Sequence, residues 1–272
     1  MDPSRYTVNL SILFTELDLL ERPAAAKAAG FDAVEFWWPF PEPVPSDHQV
    51  DRFARAIEQA GVSLTGLNFF AGDMPGGERG VLSHPARSGE FADNVEVAVG
   101  IAERLGCGAF NALYGNRLDE AKPAEQDEVA TENLVRAARA AERIGATVLI
   151  EPVSGTPAYP LKTAADALAV IDRVHRAGPV GNLRLLLDLY HLVVNGDDAT
   201  AVIERSGDSI GHVQIADAPG RNEPGTGEID FAHYFRALSR TGYRGHIGLE
   251  YKPSGASAAS FDWINELNGG NA

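Results

Sequence analysis

One unit recurs along the whole chain: an alanine-rich amphipathic stretch, a glycine, and a short β-prone run. Glycine directly after a helix commonly takes the left-handed conformation that ends it, and a short apolar run beyond it is typical of a strand. The glycines and the strand ends that follow them are Gly30 and Phe36, Gly61 and Asn68, Gly106 and Gly115, Gly145 and Glu151, Gly178 and Asp188, Gly207 and Asp217, and Gly242 and Glu250. Alternating strands and helices predict a parallel sheet.

An opening run from Val8 to Leu13 brings the strand candidates to eight. Helical periods separate them, for example over Asp93–Leu105 and Glu128–Ile144. Eight such units favour a closed barrel, because an open doubly wound sheet typically has about five to seven strands. No linker divides the chain, and the Pro-rich segment 39–45 is interpreted as a loop. The sequence therefore predicts an α/β protein with a single (β/α)8 TIM-barrel domain over residues 1–272.

The composition is that of a globular protein, since 44% of the residues are hydrophobic and 22% are charged. No apolar run approaches the roughly 20 residues that span a bilayer, and the N-terminus lacks the basic and apolar regions of a signal peptide. Cys107 is the only cysteine, so an intrachain disulfide is impossible, which fits a reducing compartment. We therefore expect a cytoplasmic protein.

The formal net charge of −15 argues against nucleic acid and anionic membranes as partners, because both require clustered lysine and arginine. The expected partner is a small molecule, and the sequence leaves open whether copies form a homo-oligomer. An anionic substrate would need a locally positive site in this negative protein.

In a barrel of this kind the active site lies at the carboxyl ends of the strands. The last four predicted strands end in oxygen-bearing side chains: Glu151, Asp188, Gln214 and Glu250. Three carboxylates at close range would repel one another and raise at least one pKa, and a bound divalent cation removes this conflict. Oxygen ligands favour hard ions, so the sequence predicts one Mg²⁺ or Mn²⁺ ion rather than zinc.

Each of these side chains also has a structural interpretation. Asp188 could cap a following helix, and Gln214 could satisfy loop backbone. Either glutamate could pair with Arg184 or Lys252. All four at consecutive strand ends favour one metal site over four unrelated roles.

Several stretches carry a resemblance to a known family: NLSILFTE (9–16), GFDAVEF (30–36), AGDMPGGERG (71–80), IEP (150–152), DLYH (188–191), GHVQIADAPGRNEPGTGEID (211–230) and GLEYKP (248–253). The chain resembles the hydroxypyruvate isomerase family, within the xylose-isomerase-like barrels of sugar isomerases and epimerases. The resemblance covers nearly the whole chain, and the run 211–230 is its most specific part.

The resemblance implies the metal ligands Glu151, Asp188, Gln214 and Glu250, with Glu151 and Glu250 also serving as acid and base. It implies interconversion of hydroxypyruvate and 2-hydroxy-3-oxopropanoate, or a related short 2-oxo acid, through an enediolate. A metal touching the carbonyl and the adjacent hydroxyl oxygen would stabilise that species while glutamates move the proton. Ketose 3-epimerases of the superfamily typically carry His where this chain has Gln214, which favours the isomerase branch.

Three further residues are candidate substrate contacts. Arg221, in the loop after the seventh strand, could hold a substrate carboxylate with two hydrogen bonds. His191 could orient a ligand or touch substrate, and a packed histidine is an equal alternative. Asn68 ends the third strand, where asparagine is also common in turns. Trp37 and Trp38 could line the pocket, although packing is the simpler interpretation.

The chain departs from the family after IEP, where an Asn and further polar or ring residues are usual and VSGTPAYP (153–160) stands instead. This loop borders the expected substrate, so the substrate is less determined than the reaction. The alternatives are a ketose 3-epimerase or another enzyme of the superfamily, a dehydratase of a cyclic polyol or keto acid, and a sugar-binding barrel without activity. Gly225 and Gly227 are not a dinucleotide fingerprint, and Asp230 is expected to cap a helix starting at Phe231.

Overall fold

The computed structural model describes residues 3–269. The ends of the predicted domain, residues 1–2 and 270–272, lie outside the described residues. Eight parallel strands pair in chain order and close on themselves, with β1 hydrogen-bonded to both β2 and β8. This confirms the predicted (β/α)8 barrel.

The strands are β1 Tyr6–Asn9, β2 Ala33–Phe36, β3 Ser63–Asn68, β4 Ala109–Asn111, β5 Thr147–Ile150, β6 Leu183–Asp188, β7 Ile210–Ile215 and β8 Ile247–Leu249. The predicted end lies one residue too far along the chain in β5 and β8. It lies two to four residues too far in β1, β4 and β7, because β1 ends before Leu13, β4 before Gly115 and β7 before Asp217. The apolar runs continue into the loops after these strands, and hydrophobicity does not mark the point where inter-strand pairing ends.

The helices are α1 Arg22–Ala28, α2 Asp47–Ala60, α3 Ser88–Leu105, α4 Pro123–Glu142, α5 Ala164–Ala177, α6 Leu189–Val194, α7 Ala199–Ser206, α8 Phe231–Arg240 and α9 Trp263–Gly269. Five of the seven predicted glycines have the left-handed φ that ends a helix. Gly178 and Gly207 do not, with φ of −153° and −52°. Asp230 accepts a hydrogen bond from the His233 backbone N–H, which confirms it as the cap of α8. No helix in residues 3–269 combines the length and the apolarity needed to cross a bilayer.

The strand register decides which side chains share the upper barrel interior. Asp188 pairs with Gln214, and Gln214 pairs with Gly248. Because alternate residues of a strand face the same side, Glu250 follows Gly248 on the side that Gln214 and Asp188 face. The last four strands therefore deliver their polar ends to one region.

Candidate active site

A cavity of about 1060 Å³ opens at the carboxyl ends of the strands, where the barrel rule places an active site. Five of the predicted site residues line it: Asn68, Glu151, His191, Arg221 and Glu250. The other two, Asp188 and Gln214, are buried on the adjoining strands with 1% and 3% of their surface exposed. All seven therefore belong to one end of the barrel.

Asp188 and Gln214 each leave one buried oxygen without a hydrogen-bond partner in the described part of the chain. The Asp188 Oδ1 accepts from the His191 backbone N–H at 3.1 Å and so caps α6, while Oδ2 has no partner. The Gln214 Nε2 donates to Glu35 at 2.7 Å, while Oε1 has no partner. Leaving such atoms unsatisfied is costly, so a bound cation would fit both oxygens. The structural role expected for Asp188 is thus real and leaves its second oxygen available.

Glu151 follows β5 directly and is buried. Its Oε2 accepts a hydrogen bond from Asn111 Nδ2 at 2.7 Å. Burial and then the neighbouring Asp188 carboxylate raise the pKa of Glu151 to about 8. The rise reflects negative charge gathered in a buried site, which a bound divalent cation would offset.

Glu250 follows β8 and is held by two donors. Arg221 Nη2 lies 2.5 Å from its Oε1, and Asn9 Nδ2 donates to its Oε2 at 3.2 Å. Burial raises the pKa of Glu250 well above its ordinary value, and the Arg221 charge opposes this rise. The sequence also allows an ion pair between a glutamate and Arg184 or Lys252. Glu250 instead pairs with Arg221, and Arg184 donates to backbone carbonyls.

His191 is fixed by the loop that departs from the family pattern. The Ser154 backbone N–H donates to His191 Nδ1 at 3.0 Å, so this nitrogen carries no proton. Burial lowers the pKa of His191 to about 4, opposed by Asp188 and assisted by Arg221 and Arg79. The neutral ring therefore carries its proton on Nε2, which lies 3.8 Å from Asp188 Oδ2 and 3.9 Å from Glu151 Oε1.

Ligand-capable atoms of Glu151, Asp188 and His191 lie within 4.8 Å of one another, which by distance alone makes the three a candidate metal group. A protonated Nε2 cannot coordinate a cation, however, and Nδ1 is already an acceptor for Ser154. The hydrogen bonding therefore favours His191 as a donor to carboxylate or substrate oxygens. This leaves the carboxylates and Gln214 as the better ligand set.

The loop that carries Arg221 is organised by one buried carboxylate, Asp217. Its Oδ1 accepts from the backbone N–H groups of Ala218 and Ile229, and its Oδ2 from those of Gly225 and Gly227, all at 2.8–3.0 Å. A Cβ on Gly227 would lie 2.0 Å from the Ala218 carbonyl oxygen, which explains that glycine.

Arg221 itself has a left-handed φ of 58°, an unfavourable conformation for a non-glycine residue. Backbone hydrogen bonds hold it, from its own N–H to the Asp217 carbonyl and from the Lys252 N–H to its carbonyl. The guanidinium also lies 5.3 Å from the Tyr190 ring centroid.

Sequence reasoning missed a buried network below the site, centred on Glu35 of β2. Its Oε2 lies 2.7 Å from His212 Nε2, and its Oε1 accepts from Gln214 and, at 3.2 Å, from Asn9. A Cβ on Gly248 would lie 2.6 Å from Glu35 Oε1, so that glycine makes room for the carboxylate. The available signal was a charged residue inside the otherwise apolar strand AVEF.

Asn68 and both tryptophans, Trp37 and Trp38, line the cavity at its other side. Trp37 and Trp38 also pack against the hydrophobic core, so the packing interpretation and the pocket interpretation both hold. Residues 153–156 line the cavity too, which confirms that this loop borders the pocket.

Comparison with known proteins agrees with the barrel fold. Residues 23–267 match the family described as xylose isomerase-like TIM barrel. A Streptomyces coelicolor protein named "Putative hydroxypyruvate isomerase" is 55% identical over 96% of this chain and 95% of its own length. A Cupriavidus necator protein named 2-oxo-tetronate isomerase is 33% identical over 97% of this chain and 99% of its own length.

A crystal structure from Brucella melitensis, described as an AP endonuclease of family 2, superposes with a TM-score of 0.86 at 34% identity, covering 97% of this chain and 98% of that one. The fold and the near-full-length sequence similarity therefore agree. The chain belongs to the hydroxypyruvate isomerase group of the xylose isomerase-like TIM-barrel family.

Proposed function

We propose that this protein is a divalent-metal-dependent isomerase that interconverts hydroxypyruvate and 2-hydroxy-3-oxopropanoate, or a closely related short 2-oxo acid. The observation that carries the proposal is a pair of buried glutamates, Glu151 and Glu250, whose pKa values are both raised. Two buried oxygens at the same end of the barrel, Asp188 Oδ2 and Gln214 Oε1, have no hydrogen-bond partner in the described residues. Relatives named for hydroxypyruvate and 2-oxo-tetronate support the substrate class.

The residues that would hold the ion are Glu151, Asp188, Gln214 and Glu250. Mg²⁺ or Mn²⁺ fits this all-oxygen set, and the unpartnered oxygens of Asp188 and Gln214 support it. When bound, such an ion would make the hydrogen on the carbon next to the carbonyl more acidic. The rest of the reaction is proton transfer by the protein.

In the proposed reaction one glutamate removes a proton from C3 of hydroxypyruvate, and the resulting enediolate is protonated on C2 by a glutamate. The hydroxyl proton moves from the C3 oxygen to the C2 oxygen, so the atoms balance. Glu151 and Glu250 line the same cavity, which supports assigning both proton transfers to them. His191 is proposed to donate its Nε2 proton to a substrate oxygen.

Arg221 and Asn68 complete the proposed substrate contacts. The buried Arg221 Nε has no hydrogen-bond partner within the described residues, so a substrate oxygen would satisfy it. Asn68 ends β3 at the cavity wall. We further propose that the enzyme works in the cytoplasm, in keeping with its single buried cysteine.

The test uses Glu151→Gln and Glu250→Gln. Each amide keeps an oxygen for the ion and cannot take a proton at neutral pH, so kcat should fall by about 10²–10⁴-fold while weakened metal binding remains. Turnover is followed by the consumption of hydroxypyruvate, and metal binding by calorimetry. Near wild-type turnover in both variants saturated with metal would show that these glutamates are ligands only.

The runner-up is a ketose 3-epimerase that acts on a neutral sugar. Fructose and tagatose are therefore assayed beside hydroxypyruvate. Turnover of the ketoses with no action on hydroxypyruvate would replace the proposed function by the epimerase. A DNA-repair role, suggested by the name of the Brucella structure, is disfavoured by the net charge of −15.

A further inference from the structure

Four arginines line the cavity, and they differ in how their charges are satisfied. Arg87 is paired with Glu78 at 2.6 Å and Glu90 at 2.7 Å, and Arg221 with Glu250. Arg22 donates Nε and Nη1 to the carbonyls of Leu17 and Leu10. Arg79 uses only Nη1, which donates to the carbonyls of Met74 and Glu78.

The Nε and Nη2 of Arg79 have no acceptor among residues 3–269, and no carboxylate there lies within 4.0 Å of its guanidinium. The neighbouring Glu78 does not neutralise it, because its Oε1 binds Arg87 and its Oε2 accepts from the Asp73 backbone N–H. Arg79 is therefore a half-buried guanidinium with two donor nitrogens available, in a protein with an excess of fifteen negative charges.

The neighbouring Arg87 indicates what the free edge of Arg79 can bind. Arg87 Nε and Nη2 donate to the two oxygens of Glu90 at 2.7 and 2.8 Å. Two parallel hydrogen bonds from these two nitrogens are the preferred arginine–carboxylate geometry. The same two nitrogens are available on Arg79.

The backbone of Arg79 is held in place by the loop that follows β4. The Gly115 N–H donates to the Arg79 carbonyl at 3.0 Å, and the next residue, Gly80, donates to the Ala71 carbonyl at 2.8 Å. A Cβ on Gly80, whose φ is 109°, would lie 2.0 Å from the Leu113 carbonyl oxygen, so glycine is required there. The base of the side chain is therefore positioned before any ligand arrives, which lowers the cost of binding.

Charge balance at the proposed metal centre calls for a further cation in the cavity. The carboxylates of Glu151, Asp188 and Glu250 exceed the charge of a divalent ion by one, and Arg221, bound to Glu250, offsets that excess. A negatively charged substrate then needs one further cation. Arg79 lines the same cavity as Glu151, His191 and Glu250.

We propose that Arg79 binds the carboxylate of the acid substrate through Nε–H and Nη2–H, while Arg221 stays bound to Glu250. The inference rests on the proposed function and deepens it, because it assigns the choice of an acid over a neutral sugar to the loop 71–80. Arg221 keeps its proposed contact with a substrate oxygen through Nε.

The test compares hydroxypyruvate with dihydroxyacetone, in which a CH₂OH group replaces the carboxylate. Arg79→Met should raise the KM for hydroxypyruvate by about tenfold to a hundredfold, the loss expected for hydrogen bonds to a charged group, and should change the KM for dihydroxyacetone far less. Arg79→Lys, which keeps the charge and the loop, should recover part of the loss. Arg221→Lys should affect both compounds alike, because Arg221 acts beside Glu250.

Lys252→Met is the matched control, since Lys252 also lines the cavity, is exposed and has no carboxylate within 4.0 Å in the described residues. It should change KM less than twofold. If Lys252→Met and Arg79→Met raise the KM for hydroxypyruvate equally, only the total positive charge of the cavity matters. That result would overturn the proposal. So would Arg79→Met and Arg79→Lys variants with wild-type KM.

Calorimetry with D-glycerate and Mn²⁺-loaded protein separates this inference from the proposed function. Binding of D-glycerate that weakens at least tenfold in Arg79→Met, in a protein that does not isomerise hydroxypyruvate, would support the carboxylate site and refute the proposed reaction. Turnover of hydroxypyruvate that does not change in Arg79→Met would support the proposed reaction and refute the carboxylate site.

Discussion

Asp217→Asn is the substitution that tests how the Arg221 loop is held. The carboxylate is 1% exposed and accepts four backbone N–H groups, two on each oxygen. Asparagine has the same shape but replaces one oxygen by NH₂, so two of the four N–H groups would face a donor. A hydrogen bond to a charged acceptor contributes about 1.5–3 kcal/mol, so two lost bonds set an upper range of about 3–6 kcal/mol.

Opening of the loop to water relieves part of this cost, so we expect the free energy of unfolding to fall by about 3 kcal/mol. For a chain of this size that corresponds to a drop in Tm of about 6–12 °C. The loop would also release Arg221 from its left-handed conformation beside Glu250, and kcat/KM should fall at least about tenfold. Urea unfolding followed by circular dichroism measures the first effect, and steady-state kinetics the second.

Asp230→Asn is the matched control in the same segment. Asp230 caps α8 through a single hydrogen bond, and asparagine caps helices as well as aspartate does, so stability should change by less than about 0.5 kcal/mol. If Asp217→Asn changes the free energy of unfolding by less than about 1 kcal/mol and leaves kcat/KM intact, the loop does not depend on this carboxylate, and the account given for Arg221 is wrong.

Three further predictions concern the metal centre and its surroundings. Exhaustive chelation should abolish turnover and Mg²⁺ or Mn²⁺ should restore it; full activity of the chelated protein would contradict the metal site. Glu35→Met, which removes the acceptor that orients the Gln214 amide, should weaken Mn²⁺ binding in calorimetry by about tenfold or more, and unchanged affinity would count against that orienting role. The metal-free protein should lose stability as pH rises from 6.5 to 8. Burial raises the pKa of Glu151 to about 8, so in this pH range the folded state binds more protons than the unfolded state. His191, whose folded pKa is lowered to about 4, acts in the opposite direction only below its ordinary pKa of 6.5. A metal-free Tm that is flat or rising between pH 6.5 and 8 would contradict this reasoning, and Mn²⁺ should raise Tm more at pH 8 than at pH 6.5.

The barrel was predictable from the chain because its determinants are local. A helix that ends in a left-handed glycine and a following apolar run can be identified from a few residues, and Gly61 and Gly106 both have that conformation. Gly178 and Gly207 each follow a similar alanine-rich stretch, but neither residue has a positive φ. Composition does not fix the geometry of each helix end, because contacts with the rest of the chain decide it.

The convergence of Glu151, Asp188, Gln214 and Glu250 could also be predicted, because parallel strands direct their carboxyl ends to one mouth. The structure brings the four to one end of the barrel, and their binding of a metal stays a prediction. The resemblance to the family added the proposed roles, and the comparisons confirmed the family itself.

Only the tertiary structure decided which partners these side chains have. Glu35 meets His212 and Gln214 across 177 and 179 residues of chain, and Asn9 meets Glu250 across 241. Such contacts depend on strand register and on space left by a glycine such as Gly248, which no local pattern encodes. The same holds for the arginines. The sequence predicts a loop position for Arg221, but only the packing of the chain pairs Arg221 with Glu250 and leaves one edge of Arg79 available.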